Sequence, residues 1–390
     1  MVVLGNILKE VEENIVAPED LVKLKGKLRD ICEWIIDSEL SSGVLKSDDD
    51  ANWSIFVQGN MARVLTAGYQ IFGEWCYLNE AMEWCDHFLS IQYREGCWFD
   101  GYSRRNIYLA DAGTASGALF NLYRHVNSKR RKRYLSALER YANFIIKGCT
   151  DDPDHMGRGG SSGWVHESGA LGVGYYEGKL DLGPFTIATG IVGGLFFSGL
   201  YSLTKNQAYK DVASKAARWL LNTAIQEDGQ IKEVWKVRPL GVKGPSYAAI
   251  SYCGEGLVWV HSHIDDEVLK NEIEDKVSPI VQFLLRTQNE DGTWAEPGSP
   301  DQQRSPLATL MLNWYYTNVK RDKAVAEAIK RNYNYLLNPD KATKFGVNRL
   351  IRVTGFVGLV LAELISPGIT LHAEEWSTHE LWSACSYLAV

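Results

Sequence analysis

Two kinds of helical pattern alternate along the chain. One kind is apolar on nearly all sides and rich in small residues, as in Thr189–Phe197, which is typical of a helix buried all round. The other carries one apolar stripe and one charged face, which is typical of a helix facing solvent. The pair recurs about six times, and a repeat on this scale constrains the architecture more than any local motif.

The periodicity predicts six inner and six outer helices. The apolar set gives inner helices over Ile55–Phe72, Ala112–Arg124, Thr186–Leu203, Ser246–Ser262, Pro306–Thr317 and Ile351–Ile365. The amphipathic set gives outer helices over Glu19–Leu40, Cys76–Gln92, Lys129–Lys147, Gln207–Ile225, Asp265–Thr287 and Asp322–Leu337. The expected fold is all-α, a single (α/α)6 barrel domain over residues 1–390.

The connections between these helices are unequal. Inner-to-outer turns are brief, such as Gly73–Trp75, whereas the outer-to-inner loops are long. In a barrel of alternating hairpins all the long loops open on one face, called here the loop face, where the inner helices begin. Long loops on a rigid frame concentrate function, and helix N-termini favour anions. We therefore expect the functional site at the loop face.

Composition and charge indicate which partners and which location to expect. Net charge is −7 and no basic stripe occurs, which argues against a nucleic-acid partner. The N-terminus lacks a signal-peptide pattern, and the apolar run Ile187–Leu203 is rich in Gly and Ser, which favours a buried helix over a membrane span. Seven cysteines without a CxxC pair favour a reducing, cytoplasmic location. We expect a small-molecule or oligosaccharide substrate, no membrane partner and no cofactor.

Two segments share the spacing Q-x-x-x-G-x-W, Gln92–Trp98 and Gln288–Trp294, and Gln226–Gly229 is a partial third copy. Each follows an outer helix, so the Gly can close the helix in a left-handed cap while the Trp covers the layer below. We interpret the motif as structural. It resembles the QW repeat of triterpene cyclases, which are α/α toroids.

Two helical hairpins, Gly68–Leu89 and Gly199–Ala213, carry a further family resemblance. They resemble the six-hairpin glycosidase superfamily, which includes unsaturated glucuronyl and rhamnogalacturonyl hydrolases. This resemblance implies an open cleft at the loop face with acidic residues near inner-helix starts. The catalytic segments of the unsaturated uronyl hydrolases do not match residue by residue, so the reaction stays open.

Two carboxylates stand out. Asp111 lies at the start of the second inner helix and is either a catalytic acid, base or sugar ligand, or a plain N-cap. Glu255 lies between glycines in an apolar helix, on one face with Tyr252 and Trp259. Desolvation raises the pKa of buried carboxyl groups, which suits a general acid. The alternative for Glu255 is a hydrogen-bonding hub that ties neighbouring helices.

The third long loop adds His166, Glu167 and Asp181 as reserve catalytic residues, on a Gly-rich segment that could close over the cleft as a lid. The alternative is an ordered surface loop.

Candidate substrate-binding rings, which suit sugar or a terpene cation, are Trp53, Trp98, Tyr102, Trp164, Tyr175, Tyr176, Trp235, Tyr247, Tyr252 and Trp294. At least half of these rings are expected to be packing residues. Candidate anion-binding cations are Arg104, Arg105, Arg304, Arg349 and Arg352, for which the alternative is solvated charge.

Two clusters resemble metal sites only superficially. His261 and His263, with Asp265 and Asp266, lie at a short turn away from the loop face, and Asp48–Asp50 lacks the fourth position of a D-x-D-D motif. We predict no metal site.

The leading hypothesis is a glycoside hydrolase acting on an oligosaccharide, with a uronate-containing chain as one option, through two carboxylates. The alternatives are a terpenoid-type cyclase, a uronate lyase or epimerase, and a non-catalytic binding barrel.

Overall fold

The computed structural model describes residues 15–46, 50–100, 106–148, 163–176, 179–232, 246–294, 307–338 and 351–373. Twelve long helices lie in these ranges and alternate between two rings. The inner helices are α2 (Ile55–Phe72), α4 (Leu109–Tyr123), α6 (Thr186–Thr204), α8 (Tyr247–His263), α10 (Ala308–Asn318) and α12 (Ile351–Ile365). The outer helices are α1 (Pro18–Asp37), α3 (Trp75–Ser90), α5 (Ser128–Lys147), α7 (Gln207–Trp219), α9 (Glu267–Thr287) and α11 (Lys323–Leu337).

The inner helices form a closed ring. Each packs against the next in chain order, and α12 returns to contact both α2 and α1. The ring order α2–α4–α6–α8–α10–α12 places α2 and α8 on opposite sides of the barrel axis. The predicted (α/α)6 barrel is confirmed, and most predicted helix bounds lie within about three residues of the observed ones.

Small residues let the inner helices approach closely. A Cβ atom on Gly256 of α8 would lie 2.0 Å from the backbone oxygen of Gly190 in α6, and one on Gly59 would lie 2.5 Å from the Cα of Ala115. Helix α6, which includes a π-helical stretch over Thr189–Phe196, is long and apolar enough to cross a membrane. Since 83% of its most apolar window is buried inside the protein, α6 fits the predicted role of an inner helix.

A small antiparallel sheet was not predicted. Its strands are β1 (Ile107–Tyr108), β2 (Gly172–Tyr176) and β3 (Lys179–Pro184), in the order β1–β2–β3. Strand β1 has only two residues and β2 is Gly-rich, so neither shows a period of two, and the polar–apolar alternation in β3 spans only Lys179–Leu182. Strand β1 runs directly into α4, so the sheet lies at the loop face and fixes the start of that helix.

The Q-x-x-x-G-x-W segments act as struts between outer helices. The Gln92 amide donates to the carbonyl oxygens of Gly96 at 2.8 Å and Ala137 at 2.9 Å, while Trp98 Nε1 donates to Phe88 O at 2.7 Å. The second copy repeats these contacts from Gln288 and Trp294. The structural interpretation of the motif is confirmed.

The same tight turn occurs four times at the perimeter of the described barrel. In each copy a glycine N–H donates to the carbonyl three residues earlier, and the glycine has a positive φ between 84° and 98°. A Cβ on any of these glycines would lie 2.0–2.5 Å from a backbone oxygen of the next outer helix. The glycines are Gly96, Gly169, Gly229 and Gly292, and the oxygens belong to Arg140, Lys215, Pro279 and Arg331.

This geometry predicts an unequal cost for two Gly→Ala changes. Gly292 has a φ of 89° and a carbonyl 2.3 Å from the missing Cβ, whereas Gly73 has a φ of 74° and nothing within 4 Å. Gly73→Ala should lower the free energy of unfolding by about 1 kcal/mol through backbone strain alone. Gly292→Ala should cost about 2 kcal/mol more because the outer helix must shift. Urea unfolding measures both; equal costs would contradict the close packing.

Candidate active site

Asp111 lies in the first turn of α4, at the loop face. The helix begins at Leu109, three residues earlier than predicted, so Asp111 is its third residue and not its N-cap. Tyr141 donates to the carbonyl oxygen of Leu109 at 2.9 Å and anchors this turn from α5. The Asp111 side chain keeps partial exposure to solvent. The N-cap alternative is therefore wrong, and the carboxyl group lies where a ligand can reach it.

The protein environment favours the protonated form of Asp111. The pKa of this carboxyl group is raised from 3.8 to about 7, mainly by burial and in part by the negative charge of Asp100, while the positive charge of Arg352 opposes the rise. A helix N-terminus alone would favour the charged form. Desolvation outweighs that effect, so Asp111 exchanges a proton near neutral pH, as a general acid requires.

Asp100 is the neighbouring carboxylate that the sequence reasoning missed. It is only 3% exposed, and its backbone N–H donates to Asn106 O at 2.9 Å, which folds the segment before β1 towards α4. A signal was present, since an acidic residue stands two positions after the Trp in both motif copies, Asp100 after Trp98 and Glu296 after Trp294. Glu296 lies outside the described residues.

Arg352 completes this cluster from the first turn of α12. Its guanidinium lies 5.5 Å from the centre of the Phe56 ring at the start of α2. Three neighbouring inner helices, α12, α2 and α4, therefore begin around one site. Of the five predicted arginines, Arg352 is the described one; Arg104, Arg105, Arg304 and Arg349 lie outside the described residues.

Glu255 does not join Asp111. Its Oε1 accepts a 2.6 Å hydrogen bond from Nη2 of Arg63, and both side chains are buried. Glu255 and Arg63 are each the ninth residue of their helices, about 9 Å deeper than Asp111 at 1.5 Å per residue. Because α8 and α2 face each other across the axis, the ion pair spans the barrel.

Below this ion pair lies a cavity of about 120 Å³ at the short-turn end, lined by Glu255, Glu363 and the segment 367–371. Arg63 is held further by Asn121 Oδ1 at 3.2 Å and Asn60 Oδ1 at 3.4 Å. The prediction that Glu255 lies beside Asp111 at the loop face is not supported. The ion pair favours the alternative of a structural hub, which ties opposite helices and not neighbouring ones.

His166 and Glu167 belong to the perimeter turn that ends in Gly169. The His166 N–H donates to Ala170 O at 2.9 Å and Gly169 N–H donates to His166 O at 3.0 Å, the pattern of the other three copies. Glu167 is exposed. The glycine of this turn packs against Lys215 of the outer helix α7. We therefore do not retain either residue as catalytic, and the structural alternative for this part of the loop fits better.

Asp181 lies on β3, opposite Gly174, which in turn pairs with Tyr108 just before α4. Its Oδ1 accepts from Gly183 N–H at 2.8 Å, and its Oδ2 is buried without a hydrogen-bond partner in the described structure. A buried carboxylate oxygen without a partner is costly. Asp181 stays a reserve candidate, across the sheet from the Asp111 helix. The rest of the described loop forms this sheet; residues 149–162 of the predicted lid lie outside the description.

Most of the candidate aromatic rings that the structure describes are packing residues. Trp98, Trp164 and Trp294 are at most 2% exposed, and Tyr175 and Tyr247 at most 8%, so these five offer no open face to a ligand. The ligand-binding prediction is corrected for them. Tyr252 lies inside the barrel with its ring edge-on to Phe356 at 6.2 Å, whereas Trp53 is 46% exposed. Tyr102 and Trp235, and the side chain of Tyr176, lie outside the described residues.

The residues that resembled a metal site have protein partners. His261 Nε2 lies 2.8 Å from Glu274 Oε1, His263 Nε2 lies 2.7 Å from Leu371 O, and Asp265 accepts from Tyr201 at 2.8 Å. Asp266 caps α9. In the part of the chain that the structure describes, no group of three His, Cys, Asp or Glu residues could hold a metal ion. Asp48 and Asp49 lie outside that part.

No protein-family model and no curated protein sequence matches this chain. Solved structures match its fold. The GH76A α-1,6-mannanase from Salegentibacter sp. HEL1_6 superposes with a TM-score of 0.63 at 13% identity, over 88% of this chain and 99% of the mannanase chain. The unsaturated glucuronyl hydrolase from Bacillus sp. GL1 gives 0.63 at 13% identity, over 90% and 99%. A sugar epimerase from a ruminal bacterium gives 0.63 at 13% identity, over 88% and 99%.

Identities this low show a shared fold and no more. The predicted resemblance to the six-hairpin glycosidase superfamily is confirmed at that level. The resemblance to the terpenoid cyclase toroid is not shown, and the motif behind it is accounted for by the helix struts.

Proposed function

We propose that the protein is a carbohydrate-active enzyme that hydrolyses a glycosidic bond, with Asp111 as its general acid. The observation that carries this proposal is a carboxyl group with a pKa of about 7, partly open to solvent, beside a second carboxylate at the starts of three inner helices. The fold is shared with a mannanase and a glucuronyl hydrolase, which supports a saccharide as the substrate class.

The chemistry assigns each group a role. Asp111 donates its proton to the glycosidic oxygen as the bond from that oxygen to the anomeric carbon breaks. Water then adds to the anomeric carbon and yields its proton to a carboxylate, for which Asp100 is the first candidate and Asp181 the second. Arg352 beside the acid suits a substrate carboxylate, so a uronate-containing oligosaccharide is our preferred substrate.

The test is hydrolysis of a panel of neutral and uronate-containing oligosaccharides, followed by mass analysis of the products. Hydrolysis incorporates one water per bond cleaved and releases a new reducing end. An epimerase, which shares the fold, would return a product of unchanged mass, and a lyase would return an unsaturated product without adding water. Either of those outcomes would replace the hydrolase proposal by the corresponding reaction.

Opposite pH shifts are expected from Asp100 and Arg352. Because Asp100 raises the pKa of Asp111, Asp100→Asn should lower that pKa, so that Asp111 loses its proton at lower pH. Because Arg352 lowers the pKa of Asp111, Arg352→Gln should move the loss of that proton to higher pH. Each shift should be on the order of one pH unit. NMR titration of the Asp111 carboxyl carbon checks both directions without requiring turnover, and two shifts of the same sign would contradict this electrostatic arrangement.

A further inference from the structure

A second pocket opens at the loop face, between the start of α2 and the end of α3. Its volume is about 360 Å³, and its walls include Trp53, Ile91, Phe99, His87 and the segment 42–44. Phe99 lines this pocket, whereas the next residue, Asp100, is buried beside Asp111. The pocket and the proposed acid are therefore neighbours on one short segment, but the pocket lies outside the inner ring.

This pocket is lined by large hydrophobic side chains that are exposed to solvent. Five large hydrophobic side chains of the described residues are well exposed, and two of them, Trp53 at 46% and Ile91 at 43%, line the pocket. A solvent-exposed indole beside an aliphatic wall offers a flat face to a ligand.

The wall that carries Trp53 is held rigidly. Gln58 donates to Gly43 O at 2.8 Å and to Asn52 O at 2.5 Å, and it accepts from Trp84 Nε1 at 2.9 Å. The buried amide of Gln58 therefore fixes Gly43 and Asn52, near the two ends of the loop that carries Trp53, to helix α2. A binding surface fixed in advance loses little entropy when a ligand binds.

His87 supplies the polar part of the pocket. Its ring packs so closely on Gly43 that a Cβ there would lie 2.2 Å from Nε2. Burial lowers the pKa of His87, so the imidazole is neutral at neutral pH and offers one donor and one acceptor. The described residues provide no hydrogen-bond partner for either ring nitrogen.

We propose that this pocket is an accessory binding site for a sugar residue, in which the C–H face of the ring stacks on Trp53 and a hydroxyl group bonds to His87. The inference rests on the proposed function for its ligand class. An apolar face next to a neutral donor and acceptor matches a sugar, whereas a charged ligand would find no counter-charge among the side chains that line the pocket.

The experiment is NMR titration of the histidine imidazole resonances with an oligosaccharide length series, in the Asp111→Asn background so that no substrate is consumed. The His87 resonance should shift saturably. Trp53→Ala should weaken that binding about tenfold, the size expected from loss of an aromatic face. Trp75→Ala is the matched control, because Trp75 is 59% exposed at the opposite, short-turn end.

The outcomes separate this inference from the proposed function. A shift at His87 that depends on Trp53, in a protein that cleaves no saccharide, would support the pocket and overturn the hydrolase. Turnover of oligosaccharides with an unmoved His87 resonance would overturn the pocket alone. Equal affinities in the Trp53→Ala and Trp75→Ala proteins would also overturn it, as would a response to apolar ligands and none to sugars.

Discussion

Replacing Asp111 by Asn is expected to lower kcat for natural oligosaccharides by about 10²- to 10⁴-fold, the usual contribution of a general acid. Substrates with an activated aryl leaving group should be affected far less, because such a group departs without a proton. Glu227→Gln, the same acid-to-amide change at an exposed perimeter turn, serves as the control and should leave kcat unchanged. Steady-state kinetics on both substrate types check this prediction.

The Asp111→Asn protein should be no less stable than the wild type, because the raised pKa of Asp111 means that its charged form is unfavourable in the folded state. The pKa of Asp111 is about 7 in the folded state, against 3.8 as its ordinary value. The stability that its proton contributes is therefore complete below about pH 4 and declines as the pH rises towards 7. The Asn variant does not titrate there, so its Tm relative to wild type should rise between pH 4 and 8. A relative Tm that falls over this range would contradict the raised pKa.

Glu255→Gln is expected to lower the free energy of unfolding by about 3–5 kcal/mol, because it leaves the buried guanidinium of Arg63 without its counter-charge. Replacing both partners by Met should recover most of this loss, since a buried pair exchanged for apolar side chains of similar volume is often neutral. Urea unfolding of the single and double variants measures the coupling between them.

This experiment also separates the two hypotheses for Glu255. If the pair is structural, Glu255→Gln should lose much stability. The double Met variant, which regains that stability, should also regain activity. A loss of unfolding free energy below about 1 kcal/mol, together with abolished turnover, would instead identify Glu255 as a catalytic group and contradict its structural role.

The helices were predictable because their signals are local. Buried all-round patterns and amphipathic stripes fix which ring a helix joins, and the observed α2 and α12 have the predicted bounds. The sheet escaped prediction because β1 has only two residues, and its pairing with β2 joins positions far apart in the chain.

The site was predictable only in part. Asp111 stands out because a carboxylate at the start of an apolar helix is a local signal. The partners of each carboxylate come from distant parts of the chain. Glu255 pairs with Arg63, 192 positions away, and Arg352 lies near Asp111 only because the ring of helices closes. The His166–Gly169 turn lacks the Gln and Trp of the Gln92–Trp98 and Gln288–Trp294 copies, so the sequence did not reveal it as a turn of the same kind.

The pH profile of oligosaccharide hydrolysis by the wild-type and Asp111→Asn proteins is the most direct test of Asp111 as the general acid. We expect new reducing ends with one water incorporated per bond, activity that falls as the pH rises through about 7, and almost none in the variant. Hydrolysis by the variant at the wild-type rate, with the same alkaline limit, would show that another group is the acid.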